Sequence, residues 1–266
     1  MTTDDDDRQE ARSAAAQHRQ AELLALVRRD GRLDVGPAAA RLGVTQETLR
    51  RDLRAMERAG LVRRSYGAAF PVESGRFETR FDLRESSNPE EKNRIAAAAI
   101  AQIGSAQTIY IDEGYLPLLI ARGLPTDRPL TVVTGSLPAA MEIAPRPELE
   151  VLLIGGRVRG TTFGTVEHGH DSLLGRLMID IAFLGANGIS ASRGLTTPDP
   201  SVAAVKSAAI AASNRRIFVG AHTKFGVSSF VRFAGVADFE ALITGEQLPA
   251  HRAQQFSQLG PRVLRV

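Results

Sequence analysis

The sequence predicts an α/β protein in two parts: an N-terminal winged helix-turn-helix, followed by a mostly parallel, Rossmann-like α/β domain. Three observations carry that expectation. Residues 19–67 hold 11 arginines against 6 acids. The same block reads as three glycine-punctuated helical patterns and a short strand. Beyond residue 80, short apolar runs rich in β-branched residues alternate with helical stretches, the pattern of a parallel sheet covered on both faces.

The expected division is a flexible acidic tail over 1–18, a winged helix-turn-helix over 19–67, a linker over 68–80 and an α/β domain over 81–266. The tail holds 2 arginines against 5 acids, and the residues after 67 carry 20 basic against 19 acidic groups. A basic block beside a nearly neutral bulk is the footprint of a polyanion reader joined to something else. The chain of 266 residues has no cysteine. Disulfides, thiolate metal sites and thiol catalysis are therefore excluded. No stretch approaches the roughly 20 apolar residues of a membrane span. The start, Met1-Thr2-Thr3 and then four aspartates, lacks the positive and apolar runs of a secretory signal. The expected location is the cytoplasm, with no membrane partner.

In chain order, Leu23, Leu24, Leu26 and Val27 recur at helical spacing between Arg19 and Arg29, and Asp30-Gly31 ends that helix. A second helix is expected from about Gly36 to Leu42, with Pro37 in its first turn, where a missing N–H costs nothing. Gly43 ends it. Thr45 is a good N-cap for a third helix running to about Ala59, and Glu47 favours its positive start. Leu61–Tyr66 reads as a strand turned by Gly67. The expected strands of the second domain are Thr108–Asp112, Leu130–Thr134, Val151–Gly155, Ile181–Gly185, Ile217–Gly220 and Ala241–Thr244. The expected helices include Glu90–Ile103, Leu137–Ala144, Asp171–Met178 and Ser201–Ser213.

The first constellation lies between Asp34 and Leu53. Val35, Ala39 and Leu42 line one side of the second helix, and small Ala39 lets the third approach. Leu49, Leu53 and Met56 follow i, i+4, i+7 spacing and face the core. Arg50, Arg51 and Arg54 then lie outside. Arginine forks onto the O6 and N7 of guanine or holds a phosphate. Thr45, Gln46 and Thr48, around the helix start, are placed to reach base edges. Arg63 and Arg64, in the following strand, lie along the DNA backbone. The expected partner is a double-stranded DNA operator, read by a homo-oligomer, because symmetric operators need paired readers.

The run from Leu42 to Ala69, L-G-V-T-Q-E-T-L-R-R-D-L-R-A-M-E-R-A-G-L-V-R-R-S-Y-G-A-A, resembles the signature of the DeoR family of bacterial regulators. The Arg50-Arg51-Asp52-Leu53 centre is intact. Thr45 stands for the usual serine, Leu49 for isoleucine, and Ala68 for a second glycine. The resemblance extends to about residue 245 and implies a sensor domain with the fold of sugar-phosphate isomerases. It implies an effector, a small metabolite and most often a phosphosugar, held by loops after successive strands, as the crevice rule for parallel sheets predicts. The residues so implied are Asp112, Gly114, Tyr115, Thr134, Ser136, Gly155, Gly156, Asn187, Gly188, Lys206 and Lys224. Glycine lets backbone N–H groups approach a phosphate. Hydroxyls at Thr134, Ser136 and Thr223 can donate to it, and Lys206 and Lys224 supply charge. Lys92 is expected to be structural. The chain departs from the family where Asp112-Glu113-Gly114-Tyr115-Leu116 replaces Asp-Ser-Gly-Ser/Thr-Thr, at Gly135 in place of asparagine, and at Ala221 in place of aspartate. A carboxylate close to a dianionic phosphate is unfavourable, and Tyr115 offers a ring for stacking or for closing the pocket.

The resemblance implies a metabolite-modulated regulator, usually a repressor, with no catalytic residue, metal or cofactor. Two alternatives stand beside it. One is a phosphosugar isomerase with an accessory basic domain, for which Asp112 or Glu113 would be the base. The other is a regulator with a degenerate pocket. Gly155–Thr162 imitates a phosphate-binding P-loop until Thr161 stands where lysine is required. His168 and His170 near Glu167 lack a third metal ligand.

Overall fold

The computed structural model describes residues 16, 18–27, 30, 32–59, 61–71, 80–85, 87–166 and 173–266. It separates into two compact units, residues 1–74 and 75–266. Of the expected acidic tail only residues 16 and 18 are described; residues 72–79 of the expected linker, His168 and His170 lie outside the described residues.

In the first unit α1 covers residues 18–27. It is followed by β1 (Leu33–Asp34), α2 (Val35–Arg41), α3 (Gln46–Arg58), β2 (Val62–Ser65) and β3 (Ala68–Pro71). Leu23 and Val27 of α1 and Leu49, Leu53 and Met56 of α3 are fully buried in one core with Val35 and Ala39. The helical periodicity therefore placed the α3 core face as expected. Gly43 turns α2 into α3 at φ 62°, a left-handed conformation that glycine adopts without steric cost. Ala68–Pro71 forms a strand, so the linker begins later than expected. β3 pairs antiparallel with β2, from Val62 opposite Pro71 to Ser65 opposite Ala68, and with β1 on its other side. Tyr66 and Gly67, at φ 48° and 75°, form the two-residue turn between them. Two positive φ values match the right-handed twist of a hairpin. The apolar Ala68-Ala69-Phe70 run lacks the alternation of a half-exposed strand because all three residues are buried.

The second unit opens with α4 (Phe81–Glu85) and α5 (Pro89–Ile100). Next come β4 (Thr108–Ile111), α6 (Tyr115–Arg122), β5 (Leu130–Thr134), α7 (Leu137–Ile143) and β6 (Leu149–Leu153). A hairpin of β7 (Arg157–Val158) and β8 (Thr165–Val166) precedes β9 (Ile179–Leu184), β10 (Gly188–Ser190) and β11 (Gly194–Thr197). The chain ends with α8 (Pro200–Ala211), β12 (Ser213–Val219), β13 (Val231–Ala234), β14 (Ala241–Thr244), α9 (Ala250–Ser257) and β15 (Arg262–Arg265).

Seven strands form one sheet in the order β15-β14-β12-β9-β4-β5-β6, and every pairing in it is parallel. Successive side chains go to opposite faces. Ile109, Ile111, Ile181, Phe183, Ile217 and Val219 meet α5, α6 and α7. Tyr110, Ala182, Leu184 and Phe218 meet α8, α9 and the loop phenylalanines Phe225 and Phe239. All six expected strands are present, with ends from zero to four residues away from those expected. Three features differ. The helix expected over Asp171–Met178 is, among the described residues, a single turn at Leu173–Arg176. The chain after Asp112 continues as helix α6, which the glycine and tyrosine at its start concealed. A small antiparallel sheet, β10-β11-β13, and the edge strand β15 were not anticipated.

Candidate DNA interface and effector crevice

α3 starts where the Thr45 hydroxyl accepts the backbone N–H of Thr48 at 3.1 Å. This cap satisfies one of the free donors at the helix start. Gln46, Arg50, Arg51 and Arg54 are exposed along the helix, and Thr48 is half-buried. Gln46 Oε1 accepts Arg50 Nη2 at 3.1 Å, and Glu47 Oε1 accepts Arg54 Nη2 at 2.9 Å. These exposed contacts are weak enough for DNA to replace. Arg64 differs from its expected role. Its backbone N–H and its Nε both donate to the Glu57 carboxylate, at 2.9 and 2.8 Å, tying β2 to α3 and holding Glu57 below the usual carboxylate range. Arg63 is half-buried, and Tyr66 projects fully into solvent from the hairpin tip.

Sequence reasoning gave Asp52 no role. It is buried on the inner side of α3, where Arg19 Nε donates to its Oδ2 at 2.5 Å. The signal was available, since an acid flanked by core Leu49 and Leu53 needs a partner.

In the second unit the sheet reverses direction of winding between β4 and β9, the place where open parallel sheets bind ligands. Asp112, just after β4, is 1% exposed there and pairs with Lys206 of α8, itself buried. Asp112 Oδ2 also accepts the Gly185 backbone N–H at 2.8 Å, and Lys206 Nζ reaches the Gly185 carbonyl at 3.2 Å. Burial pushes the Asp112 carboxyl above its ordinary range, opposed by the Lys206 ammonium and reinforced by adjacent Glu113. Glu113 turns to the β7–β8 loop. Its carboxylate accepts Arg159 Nη1 at 3.1 Å and the Thr162 hydroxyl at 2.6 Å. Arg159 Nη2 lies 3.3 Å from Asp199, whose other oxygen caps α8 through Ser201 N at 2.8 Å.

The remaining implied residues serve the scaffold in several ways. The buried Thr134 hydroxyl donates to the Ile111 carbonyl at 2.7 Å and accepts Ser136 N at 3.0 Å. Ser136 Oγ caps α7 through Ala139 N at 3.3 Å. The Thr134 hydroxyl thus donates to backbone, whereas Ser136 Oγ accepts from it. Gly114, at φ 122°, starts α6. Tyr115 packs edge-on against Phe81, with ring centroids 5.9 Å apart, rather than offering a free ring. Gly188 is glycine because a Cβ would lie 2.5 Å from the Val227 carbonyl oxygen. Asn187 Oδ1 accepts the Thr197 hydroxyl at 3.1 Å. Gly155 and Gly156 are exposed after β6, and Lys224 is half-buried in the turn after β12. That turn is held by buried Glu91, which accepts the His222 backbone N–H at 2.7 Å. Lys92 is structural as expected: its ammonium donates to the carbonyls of Arg84 and Ser87.

Two family models match the chain. The DeoR-like helix-turn-helix domain covers residues 19–74, and the DeoR C terminal sensor domain covers residues 87–246. The chain belongs to the DeoR family. Relatives within reach of direct alignment are named as transcriptional regulators. The HTH-type transcriptional regulator GlpR of Haloferax volcanii is 33% identical over 235 residues, 88% of this chain and 91% of that one. The HTH-type transcriptional repressor CsqR of Escherichia coli is 31% identical over 229 residues, 86% of this chain and 87% of that one. The glycerol-3-phosphate regulon repressor of Escherichia coli is 27% identical over 227 residues, 85% of this chain and 90% of that one. Among solved structures, ribose 5-phosphate isomerase A of Methanocaldococcus jannaschii aligns with a TM-score of 0.39 at 17% identity, over 52% of this chain and 55% of that one.

This DeoR-family chain is therefore a DNA-binding transcriptional regulator, and its relatives are regulators instead of enzymes. None of its helices, among the described residues, is long and apolar enough to cross a membrane. Sequence reasoning gives no role to Arg159, Thr162 and Asp199 of the crevice. The first two lie in the stretch that imitates a P-loop, where the carboxylate at 113 is the signal for a counter-charge.

Proposed function

We propose that this regulator represses transcription from a double-stranded operator as a cytoplasmic homo-oligomer, and that a small metabolite, a phosphorylated sugar by class, releases it. The exposed Arg50, Arg51 and Arg54 on one face of α3 carry the reading. Three cations on one exposed helix face match the phosphate spacing and guanine edges of a major groove. The crevice at the β4–β9 switch point, with Asp112, Lys206 and the Glu113–Arg159 pair, supports a ligand site in the second unit. The similarity to the glycerol-3-phosphate regulon repressor of Escherichia coli supports a phosphorylated metabolite as the ligand class. Release follows from linkage: an effector that prefers the DNA-incompetent arrangement lowers operator affinity by its preference for that state.

Fluorescence anisotropy of the full chain on its own upstream DNA tests this, with Arg50→Ala as control and a panel of sugar phosphates as additives. Tight, salt-sensitive binding, lost in the variant and relieved by one compound, is the expected result. Absence of binding to any DNA overturns the reading.

A further inference from the structure

At the switch point the ligand-facing groups are arranged for a hydrogen-bond donor, not for an anion. Glu113 is only 12% exposed at its side chain and lines the crevice together with Asp112. The donors around it are already engaged. Arg159 gives Nη1 to Glu113 and Nη2 to Asp199, and the Thr162 hydroxyl donates to Glu113. Lys206 is held by Asp112 and the Gly185 carbonyl. Among the described residues, three carboxylates, Asp112, Glu113 and Asp199, meet Lys206 and Arg159, with the Arg84 guanidinium near Gly114. A second phosphate charge brought here meets repulsion with little water to screen it.

Size gives an independent reason. The cavity between Asp112, Glu113, Gly135, Thr165, Val202 and Lys206 leaves about 10 Å³ for the centre of a water. That is the room of one water or one hydroxyl. A phosphate, with four oxygens around one phosphorus, is larger than that space. A hydroxyl does fit, and a carboxylate, an acceptor only, is its natural partner.

We infer that Glu113 is a specificity-determining residue of this sensor: clamped by Arg159 and Thr162, it accepts a hydroxyl of the effector at the switch point and excludes a phosphate from that position. The inference rests on the second unit being a small-molecule sensor, and it places any phosphate of the effector elsewhere in the site.

The test is calorimetric titration of inorganic phosphate into the full-length chain, with Glu113→Ser, Glu113→Gln and Glu113→Ser/Arg159→Ala alongside. Wild type is expected to bind phosphate weakly. Glu113→Ser frees Arg159 and Thr162 and is expected to bind it at least about tenfold more tightly, a gain that Arg159→Ala removes. Glu113→Gln, the same size without the charge, keeps the test open if the serine variant does not fold; it is expected to gain a smaller amount. No gain in either folded variant, or a Glu113→Ser gain that Arg159→Ala does not remove, overturns the inference. The differences between variants read the crevice, because phosphate bound elsewhere on the chain is common to all of them. Failure of every metabolite to release DNA would instead count against the sensor reading, whatever the phosphate arms return.

Discussion

Arg19 Nε donates to Asp52 Oδ2 at 2.5 Å, joining α1 to the buried side of α3. The pair fixes the helix that carries the exposed arginines, because Asp52 lies one residue from Arg51 on the same helix. The bond raises the pKa of the Arg19 guanidinium further. Asp52→Asn keeps the shape and removes the charge. It is expected to destabilise the first unit by about 2 kcal/mol, the scale of a hydrogen bond between charged groups. Scanning calorimetry should show the first unit melting earlier and the second unchanged. An unaltered first transition would mean the pair is not what holds α3.

Arg51 is exposed on α3, and the salt dependence of DNA binding reports on it. Arg51→Ala is expected to weaken operator binding about tenfold and to lower the slope of log affinity against log salt by about one phosphate contact. Anisotropy titrations at several salt concentrations measure both. A loss of affinity with no change in slope would assign Arg51 to a base edge and not to the backbone.

Lys206 and Asp112 form a buried pair, and removing one partner strands the other. Lys206→Met is expected to destabilise the second unit by about 3 kcal/mol. The Asp112→Asn/Lys206→Met double variant should recover part of that loss, since no uncompensated charge remains. Urea unfolding of the four proteins gives the coupling directly. Equal stability of the single and double variants would show that the charge is not the cause.

Asp180 supplies a pH signature. Its carboxylate accepts the backbone N–H groups of Thr108 and Gln107, at 2.9 and 2.8 Å, and they hold its pKa below the ordinary value. A depressed folded-state pKa gives stability that is present above the unfolded value, about 4 for aspartate, and lost as pH falls through the folded value. Asp180→Asn is therefore expected to cost about 1 kcal/mol at neutral pH, discounted for solvent exposure. Its difference from wild type should shrink as the pH drops below about 4. Melting temperatures of both proteins across that range decide it, and a constant difference would contradict the assignment.

Much of the molecule was written in local pattern. The i, i+4, i+7 spacing of Leu49, Leu53 and Met56 fixed the inner face of α3, and with it the outer face bearing Arg50, Arg51 and Arg54, because helix geometry alone relates the two. Six β-branched runs announced the parallel sheet, since strands buried on both faces must be apolar throughout. The end of β5 reads the same way in sequence whether its hydroxyls face a ligand or the backbone. Only packing decided that Thr134 and Ser136 bond inward. Helix α6 was hidden because Gly114 and Tyr115 look like a loop until Phe81 is seen against the ring.

The sequence by itself determined the class of each half and the identity of the exposed cations of α3, since those depend on periodicity and charge over a few turns. The tertiary structure alone decided what surrounds the crevice. Arg159 stands 46 residues from Glu113, and Lys206 stands 94 from Asp112. No local rule relates residues so far apart. Their pairing exists because the sheet order brings β4 beside β9 and lays α8 and the β7–β8 loop across the same end.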